Sequence, residues 1–416
     1  MIKRIRGMND ILPPKSILWR KLENAFKEEA ELYGFHEVRT PILEDTSLFV
    51  RSIGDTTEIV EKEMYTFEDK SSNSLTLRPE GTASMVRAYV ENPETDTDPL
   101  ARWYYFGPMY RYERPQKGRY REFYQFGAEV FGSSAPEQDA EMMAMAVGFL
   151  KKVGVKDITL RINSLGDAQD RTTYREILLD FLHKHEETLC DDCKRRMKTN
   201  PLRILDCKQE QCIVVADAAP KILNHLGDET KEHFERVRAH LDALGVPYVV
   251  DEKIVRGLDY YNRTAFEFIT ENLGAQKAVG GGGRYDSLVE QLGGPETPAV
   301  GFALGVERLI ALLVDQGEDL KPVLDFFLIP MGDAAKIESA KLAAKLRSEG
   351  LSGEVDNSGR RLKHLFRRAE NIGALHTIII GDREIEEQSA NVKDMRTKEQ
   401  VQLPFSEIGP ETLKRQ

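Results

Sequence analysis

Residues 102–132, with the sequence RWYYFGPMYRYERPQKGRYREFYQFGAEVFG, predict two strands joined by a long hairpin loop. Two aromatic-rich runs, 103–112 and 123–131, flank a loop at 114–118 that contains proline and glycine. Basic side chains outnumber acidic ones in and around this loop. Arginine donors suit phosphate or carboxylate groups, and aromatic faces offer stacking surfaces for a base. The stretch alone leaves two interpretations open: a ligand-binding hairpin, or a solvated basic loop on an ordinary antiparallel sheet.

Length and composition set the broad class of the protein. A chain of 416 residues is too long for one average core, so two or three domains are expected. The formal net charge of −11 argues against indiscriminate nucleic-acid binding but allows a local basic face. The sequence has no long apolar run, no apolar core of a signal peptide near its start, and too few cysteines for a disulfide scaffold. We therefore expect a cytoplasmic protein with no membrane segment.

The segment before the hairpin predicts a helix followed by an edge strand. Residues 16–33 have a helical hydrophobic period, and a strand at 35–40 leads into Pro41, which suits a sheet edge or a subunit boundary. The helix face expected to be inside comprises Leu18, Leu22, Ala25, Phe26, Leu32 and Tyr33.

Two polar residues lie where a later strand is expected to end. The strand starts at Leu75, and a helix is predicted over 83–89. Glu80 and Thr82, between them, could point into a cleft, where a carboxylate could hold an ammonium group. Equally, they could only cap the helix.

The region from about residue 163 to 254 is predicted to be helical, is rich in charged residues and contains the cysteines. We interpret this region as an insertion into the first domain. Cys190 and Cys193 have zinc-ligand spacing, and thirteen residues separate them from Cys207 and Cys212. However, the second pair is spaced loosely and no histidine completes a compact knuckle. The sequence therefore favours reduced, partly buried thiols over a structural zinc, and we expect no metal bound to the protein.

The sheet is expected to resume after the insertion, and this part of the chain contains several candidate site residues. Arg256 precedes Gly257, which allows a ligand to approach the backbone closely. Tyr260 and Tyr261 would face opposite sides of a strand, one towards a pocket and one towards its support. The glycine run at 279–283 lacks the ending of a phosphate-binding P-loop, so it is expected to let a flat substrate lie against bare backbone.

The last segment of the first domain predicts a strand that becomes a helix at Gly305. Its interior is expected to include Val306, Leu309, Ile310 and Leu313. Arg308 then falls in the first helical turn, where an anion is favoured, although an exposed helix arginine is the alternative.

A second domain is expected after a linker near 316–322. Strands and helices alternate there, which predicts a small α/β unit with a mixed sheet. The helix at about 360–371 should turn Leu362, Leu365, Phe366, Ala369 and Ile372 inward and Arg360, Arg361, Lys363, Arg367 and Arg368 outward. This outer face could bind phosphates or be a solvated surface.

Taken together, these segments resemble the histidyl-tRNA synthetases, a family of class II aminoacyl-tRNA synthetases, along nearly the whole chain. The helix, strand and Pro41 resemble the first motif of the class. Tyr110-Arg-Tyr-Glu113 with Phe123 resembles the second motif, and Gly305-Val-Glu-Arg308 resembles the third. The histidine-specific match is Arg256-Gly-Leu-Asp-Tyr-Tyr261, supported by the stretches 77–82 and 282–286.

The resemblance implies an α+β fold. A class II catalytic domain with an antiparallel sheet would occupy residues 1–321, with the helical insertion at about 163–254, and a small α/β anticodon-binding domain would occupy 322–416. It also implies an ATP-dependent ligase that makes histidyl-adenylate and transfers histidine to the 3′ end of tRNA(His). The implied partners are tRNA(His), L-histidine, ATP with Mg²⁺ as a substrate complex, and a second copy in a homodimer.

The resemblance also implies a set of site residues. The implied histidine-binding residues are Glu80, Gly81, Thr82, Arg111, Gln125, Glu129, Arg256, Tyr260, Tyr261 and Tyr285. The implied ATP-binding residues are Arg111, Glu113, Phe123 and Arg308, and Gln116 and Arg119 would meet the acceptor end of the tRNA. Arg256 and Arg111 would be catalytic at the α-phosphate, and Glu129 and Tyr261 would bond the two imidazole nitrogens.

Two other functions share these features. A regulatory subunit of the same fold would bind histidine without activating it, but such proteins usually lack the catalytic arginines and the anticodon domain. A non-catalytic RNA-binding protein would need the basic C-terminal face but not Glu129 together with Tyr261. The sequence has all of these features and favours the ligase.

Overall fold

The computed structural model describes residues 2–54, 57–92, 100–255, 258, 260–274, 277–317 and 323–413. The chain divides into two compact units, Met1–Asp10 with Trp19–Glu318 and Ile11–Leu18 with Asp319–Gln416. Within the described ranges, no helix has both the length and the apolar character that a membrane crossing requires.

The first unit is a mixed α and β structure. Its strands are β1 (His36–Glu37), β2 (Leu43–Asp45), β3 (Tyr65–Glu68), β4 (Ser74–Leu77), β5 (Ala101–Tyr110), β6 (Glu122–Phe131), β7 (Thr159–Ser164), β8 (Tyr248–Val250), β9 (Asn262–Ile269), β10 (Ala278–Arg284) and β11 (Ala299–Gly305). The helices up to the end of this unit are α1 (Lys15–Leu32), α2 (Thr46–Ile53), α3 (Thr82–Glu91), α4 (Pro136–Lys152), α5 (Ala168–His183), α6 (Asp191–Thr199), α7 (Glu210–Ala218), α8 (Asp228–Ala243), α9 (Leu288–Gln291) and α10 (Val306–Asp315).

A large sheet with the order β1-β5-β6-β11-β10-β9-β7-β8 forms the centre of this unit. Its inner ladders are antiparallel, whereas the short edge pairs β1–β5 and β7–β8 are parallel. The predicted hairpin is confirmed: β5 and β6 pair from Ala101 opposite Phe131 to Tyr110 opposite Glu122. The antiparallel-sheet fold expected from the sequence is therefore confirmed.

The first helix packs on the sheet largely as its hydrophobic period predicts. Leu18, Leu22 and Phe26 are buried, but the expectation that Leu32 lies inside is wrong, since this residue is 77% exposed. Gly34 has a positive φ of 76° and turns the chain back, so that Phe35 is buried in its place.

The helical insertion lies between β7 and β8 and consists mainly of α5 to α8. It has its own small hydrophobic core. The buried members of that core are Tyr174, Leu178, Leu182, Leu189, Cys193, Met197, Ile204, Cys207, Cys212, Val215, Ala219 and Ile222. The cysteines are thus part of the packing that holds the insertion together.

The second unit is the small α/β domain that the sequence predicts. Its strands are β12 (Leu324–Pro330), β13 (Gly353–Val355), β14 (Ala374–Ile380), β15 (Ser389–Asp394) and β16 (Gln400–Pro404), and its helices are α11 (Asp333–Ser348), α12 (Leu362–Asn371) and α13 (Asp382–Glu386). The sheet order is β13-β12-β14-β15-β16, with parallel pairs on one side and antiparallel pairs on the other. The expectation of a mixed sheet is confirmed.

One side chain departs from the basic face predicted for α12. Leu365 and Ala369 are buried as expected. Arg360, Arg361, Lys363 and Arg367 are exposed. Arg368, however, is only half-exposed, because its guanidinium pairs with Glu354 at 2.5 Å and with Asp356 at 3.4 Å. The outer basic face is therefore smaller than predicted.

Candidate active site

A cavity of about 440 Å³ lies in the first unit. Its lining residues come from parts of the chain that are far apart in sequence, and the sheet brings them together. The residues predicted for the site that line it are Glu80, Thr82, Arg111, Glu113, Arg119, Phe123, Gln125, Tyr260, Tyr261 and Arg308. Val279, Gly280 and Gly281 of the glycine run also line it, which fits the expectation of bare backbone at one wall.

Glu80 lies just before α3 and caps its first turn, which is one of the two interpretations that the sequence left open. Its carboxylate oxygens accept hydrogen bonds from the backbone N–H groups of Thr82 at 2.7 Å and Ala83 at 2.8 Å. Burial nevertheless raises the pKa of Glu80, with these N–H donors acting in the opposite direction. A buried carboxylate that faces a cavity is suited to a cationic ligand, so capping and ligand binding are compatible here.

Glu129 lies fully buried beside this cap. One carboxylate oxygen accepts a hydrogen bond from the Thr82 hydroxyl at 2.9 Å, and the other accepts one from the Tyr285 hydroxyl at 2.6 Å. Gly301 lies opposite Glu129 in the β6–β11 ladder, and a Cβ at this position would overlap the Glu129 carboxylate. Burial raises the pKa of Glu129 to about 8, although both hydroxyl donors lower it. The carboxyl group is therefore mostly protonated at neutral pH.

Tyr260 and Tyr261 both line the cavity, so the expectation that they face opposite sides of a strand is wrong. They lie in the turn before β9 rather than on a strand, and their ring centroids are 4.6 Å apart. Among the residues that the structure describes, the Tyr260 hydroxyl and Gln125 Oε1 have no hydrogen-bond partner, and both atoms are buried. Buried polar atoms of this kind are rare, and they suit a polar ligand.

Two arginines make another part of the cavity cationic. Arg111 donates from Nε to the Pro79 carbonyl at 2.9 Å, and its Cζ lies 5.3 Å from the centroid of the Phe123 ring. Arg308, in the first turn of α10, donates from Nε to the Gly118 carbonyl at 3.1 Å. Burial lowers the pKa of Arg308 to about 10, with further lowering by nearby cations. It stays charged at neutral pH, so this part of the cavity favours an anion.

The hairpin loop bends towards the cavity. Gln116 and Arg119 pair through their backbones, with N–O distances of 2.9 and 3.0 Å. The Arg119 side chain forms an ion pair with Glu113 and lies 3.5 Å from Glu63. Arg119 thus lines the cavity, whereas Gln116 does not.

The remaining predicted residues lie around the cavity or outside the described part of the chain. Gly81 is buried against the ring of Tyr105, and a side chain there would overlap that ring. Tyr285 is buried behind the cavity. Arg256, the principal catalytic candidate, and Gly257 fall outside the described residues.

Three further carboxylates line the cavity that the sequence did not single out: Asp206, Glu267 and Glu307. Glu267 is a lone acidic residue between phenylalanines in β9. This interruption of the apolar pattern could have identified Glu267 as a candidate site residue. Glu307 accepts hydrogen bonds from the Tyr124 N–H at 3.0 Å, and burial raises its pKa to about 7. Asp206 comes from the insertion, and no local pattern indicates its position.

Comparison with known proteins extends over nearly the whole chain. The profile of the histidyl-tRNA synthetase family matches residues 7–309, and that of an anticodon binding domain matches 325–415. A histidine–tRNA ligase of Halothermothrix orenii is 48% identical over 416 residues, with 99% of each chain covered. One of Geobacter sulfurreducens is 48% identical over 406 residues, with 98% of each chain covered. The crystal structure of apo S. aureus histidyl-tRNA synthetase has a TM-score of 0.82 at 40% identity, with both chains fully covered.

The central antiparallel sheet with its cavity, joined to an anticodon-binding α/β unit, defines a class II aminoacyl-tRNA synthetase. Within that class, the match over residues 7–309 and the identity to full-length relatives are decisive. The chain belongs to the histidyl-tRNA synthetase family.

Proposed function

We propose that the chain is a histidine–tRNA ligase that activates L-histidine with ATP to histidyl-adenylate and pyrophosphate, and then transfers histidine to the 3′ end of tRNA(His). One observation carries the proposal: a single cavity brings together buried carboxyl groups, unpaired polar atoms and cationic arginines. The relatives that are named histidine–tRNA ligases match nearly all of the chain, and a regulatory subunit without ligase activity is correspondingly less favoured.

The deciding experiment measures histidine-dependent exchange of pyrophosphate into ATP, followed by charging of tRNA(His). A ligase gives both activities. A regulatory subunit binds histidine but gives no exchange, and an RNA-binding protein gives neither histidine binding nor exchange. A folded protein that binds histidine without exchange would overturn the proposal.

The histidine subsite is assigned to the carboxylate-rich part of the cavity. Glu80, Thr82 and Gln125 hold the α-ammonium, for which the unpaired Gln125 Oε1 is a ready acceptor. Glu129 and Tyr261 bond the imidazole nitrogens. Because Glu129 is fully buried, a ligand that lacks both nitrogens would forgo the hydrogen bond to this carboxyl group and could not replace it with water, which is a basis for rejection.

The ATP subsite is assigned to the arginine-rich part. Phe123 and Arg308 enclose the adenine, Glu113 lies beside them, and Arg111 faces the α-phosphate. ATP enters as its Mg²⁺ complex, in which the ion belongs to the substrate. Preorganised cations at the α-phosphate stabilise the charge that develops when the histidine carboxylate attacks. Arg256 is assigned to the same phosphate from the family motif alone, since it lies outside the described residues.

Recognition of tRNA is divided between the two units. Gln116 and Arg119 on the hairpin loop meet the acceptor end. Charging then requires Arg119 to exchange its ion pair with Glu113 for a phosphate of the tRNA. The second unit reads the anticodon, and the exposed basic residues of α12 provide its phosphate contacts.

We assign a two-fold homodimer and a cytoplasmic location to the enzyme. The small sheet β2-β4-β3 supports the dimer, because apolar side chains on and beside it are exposed in the single chain. These side chains are Ile42, Leu43, Phe67 and Tyr112. A symmetric partner that covers them would remove this apolar area from water.

A further inference from the structure

The four cysteines of the insertion converge on one point. The sulfur atoms of Cys190, Cys193, Cys207 and Cys212 all lie within 4.8 Å of one another, and Cys190 Sγ lies 3.9 Å from Cys207 Sγ. Four thiolates bound to one tetrahedral Zn²⁺ at about 2.3 Å would be about 3.8 Å apart. The observed spacing is therefore already close to that of a zinc tetrathiolate.

Each pair of cysteines is placed at the beginning of a helix. Cys190 immediately precedes α6 and Cys193 lies in its first turn, while Cys207 precedes α7 and Cys212 lies in its first turn. The Cys190 N–H, moreover, points at the Cys212 sulfur at 3.3 Å, so that one pair supports the charge of the other.

Two other states of these thiols fit the geometry less well. Ordinary packing of reduced cysteines does not require four sulfurs to share one centre, and two disulfides need only two separate sulfur pairs. The chain has only four cysteines in its 416 residues, and all of them are gathered here. The loose spacing between Cys207 and Cys212 is taken up by a short connection and the start of α7.

We propose that Cys190, Cys193, Cys207 and Cys212 bind one structural zinc ion. With four protein ligands, the site has no open position for a substrate, so its role is structural. This proposal reverses the expectation from the sequence alone, where the loose spacing of the second pair argued against a metal.

The ion would hold the insertion together and shape the edge of the active-site cavity. Its ligands join α6 to α7 inside a small hydrophobic core, which is the situation in which a metal contributes most to stability. The ligand Cys207 also directly follows Asp206, which lines the cavity. Loss of the ion should therefore loosen this wall of the cavity as well as the insertion.

The first test is the metal content of the full-length protein, purified under reducing conditions without chelators and measured by elemental mass spectrometry. We expect one zinc per chain. Because every thiol of the chain is in the cluster, a thiol reagent reports on it directly. The thiols should react slowly until a strong chelator is added, and Co²⁺ in place of zinc should give the absorption of a tetrahedral thiolate site.

Variants then connect the metal to the four residues. Cys193→Ser and Cys212→Ser should each lose the zinc, whereas Val215→Ala, which trims the same buried core without removing a thiol, should keep it. Wild-type protein that takes up no zinc from zinc-containing medium and shows four fast-reacting thiols would overturn the proposal. So would two disulfides in the protein as isolated. If the serine variants fail to fold, the metal content and thiol reactivity of the wild type still decide the question.

Discussion

Replacing Glu129 by glutamine tests the assignment of the imidazole subsite. In the empty protein the pKa of Glu129 is about 8, because the carboxyl group is buried. A charge-assisted hydrogen bond from an imidazole N–H requires the ionised form of this group. At pH 7 about nine-tenths of the empty sites are protonated, so histidine binding should release about 0.9 proton.

The sign of the pH dependence follows from this linkage. Raising the pH from 7 to 8 increases the ionised fraction of Glu129 from about one-tenth to about one-half, so the affinity for histidine should rise about fivefold. Glu129→Gln cannot release the proton and should lose this dependence. It should also bind histidine more weakly by about 1.5–3 kcal/mol, because a charge-assisted hydrogen bond has been removed.

Calorimetry in two buffers with different ionisation enthalpies measures the affinity and the proton release together. ATP affinity, measured on the same samples, should barely change in Glu129→Gln. Glu267→Gln is the matched control, since Glu267 lines the cavity but is not assigned to the imidazole, and it should keep the proton release. Unchanged histidine affinity in Glu129→Gln, or a proton release that persists in it, would refute the reasoning.

Four more outcomes are expected. Arg256→His should slow adenylate formation about a hundredfold or more, as removal of one preorganised donor does, and Arg256→Lys should restore only part of the rate. Rapid-quench kinetics should show a smaller effect on the transfer of histidine to tRNA. Normal activation with slow transfer would assign Arg256 to the tRNA step. A protein that ends near Gln316 should still form adenylate but charge tRNA poorly, which separate exchange and charging assays check; undiminished charging would contradict the anticodon assignment. Gly301→Ala should weaken histidine binding at least tenfold, about 1.4 kcal/mol, because its methyl group would displace the Glu129 carboxylate; calorimetry with unchanged affinity would show that the carboxylate is not needed there. Light scattering at micromolar concentration should give the mass of a dimer, and an active monomer would count against the proposed interface.

Part of the site could be predicted from the sequence, because the local hydrophobic pattern predicts an element and the geometry of that element then places its functional side chains. The aromatic pattern predicts the strand β6, and the alternation of side chains along that strand places Gln125 and Glu129 on the same face. The helix that starts at Val306 places Arg308 in its first turn. In each case a short stretch of chain determines both the element and the direction of the functional side chain.

Other features depend on contacts that no local pattern encodes. Tyr260 and Tyr261 are in a turn, so the alternation expected of a strand does not apply to them. Asp206 reaches the cavity from the insertion, and the cysteine cluster forms only because α6 and α7 fold against each other. The second cysteine pair looked too widely spaced in the sequence, because the path of the chain between its members was not visible there.

In the proposed arrangement, selectivity and reactivity come from the separation of charge within one cavity. If Glu129 fixes the imidazole and Glu80 with Gln125 fixes the ammonium, the two ends of histidine are held in the carboxylate-rich part. The histidine carboxylate must then project towards Arg111 and Arg308, where a phosphate is favoured. An amino acid without the imidazole cannot form the hydrogen bond to Glu129, so it loses binding energy and also the orientation of its carboxylate. The same contacts therefore choose the substrate and align it for attack on the α-phosphate.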